Sequence, residues 1–292
     1  NKFLMDELDG LVNVSLTGTS YDIAKVFYEM HKDNYVCASV DNKSWYEFKN
    51  HRWIKLQAGY TIYNNINEEL VRNFLKIAEA NGSNAVNIDG DVKNARLARQ
   101  HAAIKLCHKL RTTAFKEAIM KELAHLFYDA SFLRDLNENH DLICFTNGVY
   151  DLKNNIFRDG RPEDKISLCT NNPYVQYNPR DSNVIEIEGF IESIMPDQEM
   201  TNFIKKVHGS CCSGSIEDEK FYICTGTGGN GKSLSFSLLQ MALGDYACVL
   251  PIQLLTQKRP VATAPSPEMA LSKGKRCGLY QEGEDDDKLY SG

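Results

Sequence analysis

The run Gly226-Thr227-Gly228-Gly229-Asn230-Gly231-Lys232-Ser233 constrains this chain more than any other feature. A loop that closes on a polyphosphate must turn several backbone N–H groups onto one anion, and Cβ atoms would obstruct that approach. Gly226, Gly228, Gly229 and Gly231 remove the obstruction. The composition of Phe221-Tyr222-Ile223-Cys224-Thr225 predicts a short buried strand before the loop, and Leu234 to Leu243 predicts a helix after it. In that setting the helix start aims its amides and dipole at the phosphates. Lys232 reaches the β and γ oxygens, and the Ser233 hydroxyl coordinates magnesium. The implied ligands are ATP and Mg2+, held by Gly226 through Ser233. A glycine-rich turn can match so short a pattern by chance, and the flanking strand and helix are what favour the functional reading.

Hydrolysis at such a loop also needs a carboxylate at the end of a neighbouring strand, to orient the attacking water. After the loop, Cys277-Gly278-Leu279-Tyr280 followed by Gln281-Glu282 reads as strand then carboxylate. Glu282 is therefore expected to act beside Lys232 in catalysis. Glu284-Asp285-Asp286-Asp287 follows at once and reads as a solvated acidic loop.

The remaining organisation follows from pattern. Tyr21 to Met30 has helical periodicity behind Thr19-Ser20, which can supply an N-cap. Tyr35–Val40, Trp45–Phe48 and Trp53–Leu56, separated by turn formers, predict an antiparallel meander. Helical periodicity returns over Glu68–Glu79 and Asn94–Asp129, with Asn81–Asp91 read as a loop. Leu142–Phe145, Thr146–Asp151 and Tyr174–Pro179 read as short strands and loops. Val184–Met195 and Gln198–Ser210 read as helices parted by Pro196-Asp197. At 292 residues two domains are expected, with the boundary at about 181. The fold class is α/β: an α+β domain over 1–181, then a P-loop domain over 182–292.

Composition excludes some classes. A net charge of -6 does not suit a generally cationic nucleic-acid binder, although a groove can be locally basic. Nine cysteines without a C-x-x-C pair argue against a zinc knuckle or a disulfide framework and suggest reduced intracellular thiols. No apolar stretch is long enough for a bilayer, and the N-terminal residues lack a signal-peptide pattern. Without an initiator Met the chain reads as a fragment.

Lys93 to Lys121 gathers Lys93, Arg96, Arg99, Lys105, Lys109, Arg111, Lys116 and Lys121, with His101 and His108, on helical sequence. This segment could grip phosphates or form a solvated or subunit-facing surface, and the sequence leaves both open. Trp45, Tyr46, Phe48 and Trp53 could stack bases, but alternating aromatics in short strands more often fill a core. His125 and His140 lack partners at metal-ligand spacing, and Cys211-Cys212 reads as helix packing.

Taken together, Thr225–Ser233, Pro267–Arg276 and the strand leading to Glu282 resemble the superfamily 3 helicases, which are AAA+ ring motors. Phe145-Thr146-Asn147-Gly148-Val149-Tyr150-Asp151-Leu152, Arg161–Ser167, Trp45–Phe48 and Arg52-Trp53 resemble the domain before the helicase in poxvirus-type primase-helicases of nucleocytoplasmic large DNA viruses. The resemblance implies a three-layer α/β AAA+ domain, here truncated, in an ATP-driven replicative helicase. It also implies a homo-hexamer on single-stranded or forked DNA, working with primase and polymerase. A host-cytoplasmic replication site, with no membrane association, goes with that kinship. Gln281 stands where relatives often carry a second acid, and the sensor residue, DNA hairpin and arginine finger are expected beyond residue 292. A nucleotide-binding assembly and DNA-loading module without turnover is the alternative reading for these residues.

Overall fold

Helix capping and the burial of apolar stripes set the first elements. Helix α1, Ser20–His31, is capped by Thr19, whose hydroxyl oxygen accepts from the Asp22 amide at 3.2 Å. Its spacing buries Ile23, Ala24, Val26 and Phe27 on one face. These coordinates come from a computed structural model, which describes residues 10, 12, 14–85, 90–195, 197–215, 221–226, 228–257 and 270–280. The chain forms two compact units, one of Asn1–Lys49 with Trp53–Arg134, the other of Asn50–Arg52 with Asp135–Gly292. Helices and strands mix along the chain, as expected for an α/β protein.

In the first unit the expected meander is present as β1 (Tyr35–Ser39), β2 (Ser44–Lys49) and β3 (Arg52–Leu56), with β1 and β2 antiparallel. Trp45, Tyr46 and Trp53 are buried, and the Phe127 ring meets the edges of both Tyr35 and Trp45. These aromatics fill a core, which removes them as base-stacking candidates.

A continuous helical run follows: α2 (Tyr60–Asn65), a π-helical turn (Ile66–Leu70) and α3 (Val71–Ala85). It starts earlier than the periodicity indicated and absorbs residues expected in the Asn81–Asp91 loop. Asn81 remains helical because its amide donates back to the Ile77 carbonyl at 2.8 Å, while Ala85 is buried. Residues 86–89 lie outside the described residues. The second periodic stretch is two helices, α4 (Asp91–Leu110) and α5 (Thr113–Leu126). They part at Thr112, whose backbone is extended and whose hydroxyl donates to the Lys109 carbonyl at 2.7 Å. A short helix, α6 (Phe132–Asp135), closes the stretch.

The second unit opens with an antiparallel sheet, β4 (Leu142–Phe145), β5 (Gly148–Asp151) and β6 (Ile156–Arg158). Tyr174–Pro179 is not a strand. Asn147 satisfies the backbone there instead, its amide group accepting from the Tyr174 N–H at 2.8 Å and donating to the Tyr174 carbonyl at 3.1 Å. The Tyr174 ring stacks on Phe157 with centroids 4.5 Å apart. Helices α7 (Ser182–Ile194) and α8 (Gln198–Ser210) occur where predicted, with Asp181 and Asp197 as caps. Cys211, at the end of α8, is half-buried.

The last elements are α9 (Lys232–Leu243), a one-turn 3-10 helix (Gly244–Tyr246), β7 (Ala247–Leu250), a short α10 (Gln253–Thr256) and β8 (Cys277–Tyr280). Strands β7 and β8 are parallel, with Ala247 opposite Cys277 and Leu250 opposite Tyr280. Tyr246 ties this region to the β4–β6 sheet. Its hydroxyl accepts from the Cys144 amide at 2.9 Å and donates to the Leu168 carbonyl at 3.1 Å. Burial pushes its phenol well above the ordinary range. The Arg276 guanidinium lies over the same ring at 4.5 Å and donates to the carbonyls of Cys212 and Leu142. Next to it, Asp245 accepts from the Cys169 amide at 3.1 Å and the Asn171 side chain at 2.9 Å, and pairs with Arg52 at 3.2 Å. Among the described residues, Ile143, Leu239, Leu243, Tyr246, Ala247 and Cys277 pack together, and Leu142, Cys144, Val149, Ile166 and Cys169 form a second cluster.

Replacing Tyr246 with Phe leaves the Cys144 amide and the Leu168 carbonyl buried without their partner, at a cost of about 1–3 kcal/mol. Urea unfolding is expected to report this as a lower midpoint with an unchanged slope, and an unaltered midpoint contradicts it.

Candidate functional site

Helix α9 begins where the glycine run ends. Gly231 is its N-cap residue with φ of 81°, and Gly229 has φ of 72°, both in the left-handed region that glycine enters without penalty. A Cβ at Gly231 would also collide with the Ile194 side chain at the end of α7. Gly231 therefore meets two demands at once, a turn geometry and a close approach. Glycine has no side-chain oxygen, so the start of α9 has no side-chain cap. The first-turn amides are left with their partial positive charge directed at the loop.

Lys232 folds back across that loop. Its ammonium donates to the Gly226 carbonyl at 2.9 Å and to the Asn230 side-chain oxygen at 3.2 Å. The structure thus brings together Gly226, Asn230, Gly231 and Lys232. Ser233 sits in the first turn of α9 with an exposed side chain, and Gly228 and Gly229 form the exposed crest of the loop. Thr227 lies outside the described residues. An ammonium folded over a glycine loop, next to a helix start without a side-chain cap, suits the oxyanions of a phosphate chain, and an exposed hydroxyl next to the lysine suits a hard cation.

The segment before the loop departs from expectation. Phe221 to Gly226 forms no strand and is exposed, with Phe221 at 74% and Ile223 at 67% of full accessibility. A strand needs a neighbour for its N–H and C=O groups, and residues 221–226 pair with neither β7 nor β8, which form a two-stranded sheet. The apolar composition of 221–225 was therefore a sign of strand tendency without the pairing.

Strand β8 occurs where Cys277 to Tyr280 predicted it. Strand β8 is parallel to β7, so Leu250 and Tyr280 lie at the same end of this pair. Gln281 and Glu282 lie outside the described residues.

Two features escaped sequence reading. Asn230 was counted as a loop residue, yet its side chain also positions Lys232; an Asn ahead of a glycine in a turn is the available signal. Ile194, the floor under Gly231, carries no signal because it lies 37 residues away in sequence. Cys37, Cys107, Cys144, Cys169 and Cys277 are buried, whereas Cys224 is exposed. The contact between Cys144 and Cys169 lowers the Cys169 thiol, helped by the Asn171 amide, and raises Cys144. Both are buried. Among the described residues no cluster of His, Cys, Asp or Glu could hold a metal ion, and no helix is long and apolar enough to cross a membrane.

With this geometry established, comparison with known proteins is informative. The family model described as D5 N terminal like matches residues 24–196. The chain belongs to that family. A protein of Acanthamoeba polyphaga mimivirus named as a putative helicase is 39% identical over 98% of this chain and 30% of its own length. A helicase-named protein of Frog virus 3 is 23% identical over 94% of this chain and 38% of its own. A primase-named protein of African swine fever virus is 26% identical over 60% of this chain and 18% of its own. This D5 N terminal like chain thus spans about a third of the length of the first two relatives. Its similarity to the mimivirus protein takes in the glycine loop as well as the family match.

Substituting Gly231 with Ala forces an L-residue into the left-handed region and against Ile194, a strain of about 1–3 kcal/mol. Amide hydrogen exchange is expected to speed up at Ser235, whose amide donates to the Gly231 carbonyl at 3.0 Å, and in the turn that follows, and unchanged protection there contradicts the strain assigned to this position.

Proposed function

We propose that this chain is the nucleotide-binding part of an ATP-dependent replicative helicase of a large DNA virus, of the primase-helicase type. The observation that carries the reading is the Lys232 ammonium drawn across the Gly226–Ser233 loop at an uncapped helix start. In this reading the amides of Gly226 through Ser233 cradle the phosphates of ATP. Lys232 exchanges its bonds to Gly226 and Asn230 for β and γ oxygens, and Ser233 ligates Mg2+. When bound, the magnesium neutralises charge on the phosphates. Glu282, two residues past β8, is the proposed water-activating carboxylate.

The family match and the helicase and primase names of the viral relatives support this assignment of the whole protein. In it, residues 1–181 form the pre-helicase domain and 182–292 the first part of an AAA+ domain. Copies assemble as a homo-hexamer on single-stranded or forked DNA, alongside primase and polymerase at a cytoplasmic replication site.

The test uses the longer protein. Its ATP hydrolysis is expected to rise with single-stranded DNA and to fall to background in Lys232→Ala; turnover unaffected by that substitution would falsify the P-loop assignment. Glu282→Gln is expected to retain bound ATP without hydrolysis, and normal turnover there moves the carboxylate elsewhere. Nucleotide binding that survives in the absence of any DNA-stimulated turnover favours the assembly-module reading instead.

A further inference from the structure

A cleft of about 660 Å³ opens at the end of the β1–β3 meander, where the β1–β2 turn meets the end of β3 and helix α6. Local sequence builds its walls. Strands β1 and β2 pair Cys37 with Trp45 but Ser39 with Ser44, so one extra residue at Ala38 sets two hydroxyl residues opposite each other on the lining. The Ser39 oxygen accepts from the Asn42 amide at 3.2 Å, which leaves its own proton to donate. On α6, Phe132 is buried against the Tyr46 and Trp53 rings. Its neighbour Leu133 is 42% exposed and forms an apolar wall with Leu56 and Ala58.

Lys43 and Lys55 line the same cleft and no Asp or Glu does, in a protein of net charge -6. Asp41, in the same turn as Lys43, is exposed and lines no part of it. Among the described residues, the two ammonium groups form no ion pair and no hydrogen bond. Like charges around one space repel, and an anion between them relieves the repulsion. Lys43 and Ala58 also hold left-handed backbone, with φ of 48° and 51°, a strained conformation for a residue with a side chain and one that collects at ligand sites.

We propose that this cleft binds a nucleoside phosphate, with Lys43 and Lys55 holding the phosphate and the Leu56, Ala58 and Leu133 wall seating the base. The volume is that of a small-molecule site and far exceeds what a bare phosphate fills. An acyl chain would suit the apolar wall but leave the Ser39 and Ser44 hydroxyls and the Asn42 and Gln57 amides without partners. A sugar and a base edge bring polar groups that match them. A free nucleotide and an unstacked nucleotide of a single strand present this same chemistry. The cleft belongs to the first unit and the glycine loop to the second, so the proposal goes beyond the reading of that loop and does not rest on it.

The test titrates this chain, in magnesium-free buffer, with thymidine monophosphate, a phosphorylated thymidine tetranucleotide and inorganic phosphate, read by calorimetry and by amide correlation NMR. Amide shifts are expected at Ser39 to Ser44, Leu56 to Ala58 and Leu133, with inorganic phosphate binding weakest. Lys43→Gln and Lys55→Gln are each expected to weaken nucleotide binding on the order of 10-fold. Both side chains are exposed, so neither change threatens the fold, and Lys43→Arg and Lys55→Arg are expected to keep most of the affinity. Tighter binding of the tetranucleotide than of the monophosphate assigns the cleft to single strands, equal binding assigns it to free nucleotide, and either result supports the proposal. No shift at these amides with millimolar ligand, inorganic phosphate binding as tightly as the nucleotides, or glutamine variants with unchanged affinity overturns it. Lys232→Ala is expected to bind all three probes like the unmodified chain. Loss of binding in that variant places the ligand at the glycine loop, which overturns the cleft and leaves the P-loop assignment standing.

Discussion

The second unit depends on a tyrosine hydroxyl in its interior. Tyr246 bonds at once to β4, through Cys144, and to the segment leading from the β4–β6 sheet, through Leu168. Arg276 covers the ring and reaches two further carbonyls, and Asp245 fastens the same segment from the adjacent residue. Buried polar atoms are tolerated here because each finds a partner. The network fixes the end of α9 and the start of both parallel strands, and through them the direction from which α9 presents its first turn. The position of the glycine loop is in this sense inherited from contacts at the opposite end of its helix.

The first unit is built differently. Its core is apolar and aromatic, from Phe27 on α1 through Trp45 on β2 to Phe127 after α5, and geometry comes from side-chain packing more than from polar ties. The π-helical turn at Ile66–Leu70 belongs to this economy of packing. It lets Ile62 before it, Ile66 and Leu70 within it, and Val71 and Phe74 after it all face the same core within one helical run.

Sequence legibility follows from how local each determinant is. The caps at Thr19, Asp181 and Asp197 act within one turn, and those helices begin where the pattern placed them. The β1–β3 meander and the start of α9 at Lys232 were equally readable, since turn residues and periodicity sit side by side. Phe221 to Thr225 was misread because pairing depends on a neighbour that composition does not name. Tyr174 was misread for the opposite reason: Asn147, 27 residues earlier, supplies a substitute for a strand partner. The Tyr246, Asp245 and Arg276 network joins residues up to 193 positions apart, beyond the reach of any local pattern. The glycine loop itself was legible as the turn into α9, but the dual role of Asn230 and the floor provided by Ile194 needed coordinates.

The inward bonds of Lys232 have a thermodynamic meaning. The ammonium is held by its own loop, through the Gly226 carbonyl and the Asn230 side-chain oxygen. Under the proposed function a phosphate chain displaces these bonds, so its net gain is the difference between two sets of hydrogen bonds and not the whole of one. The lysine that the proposal assigns to the ligand also braces the loop, and the two roles compete.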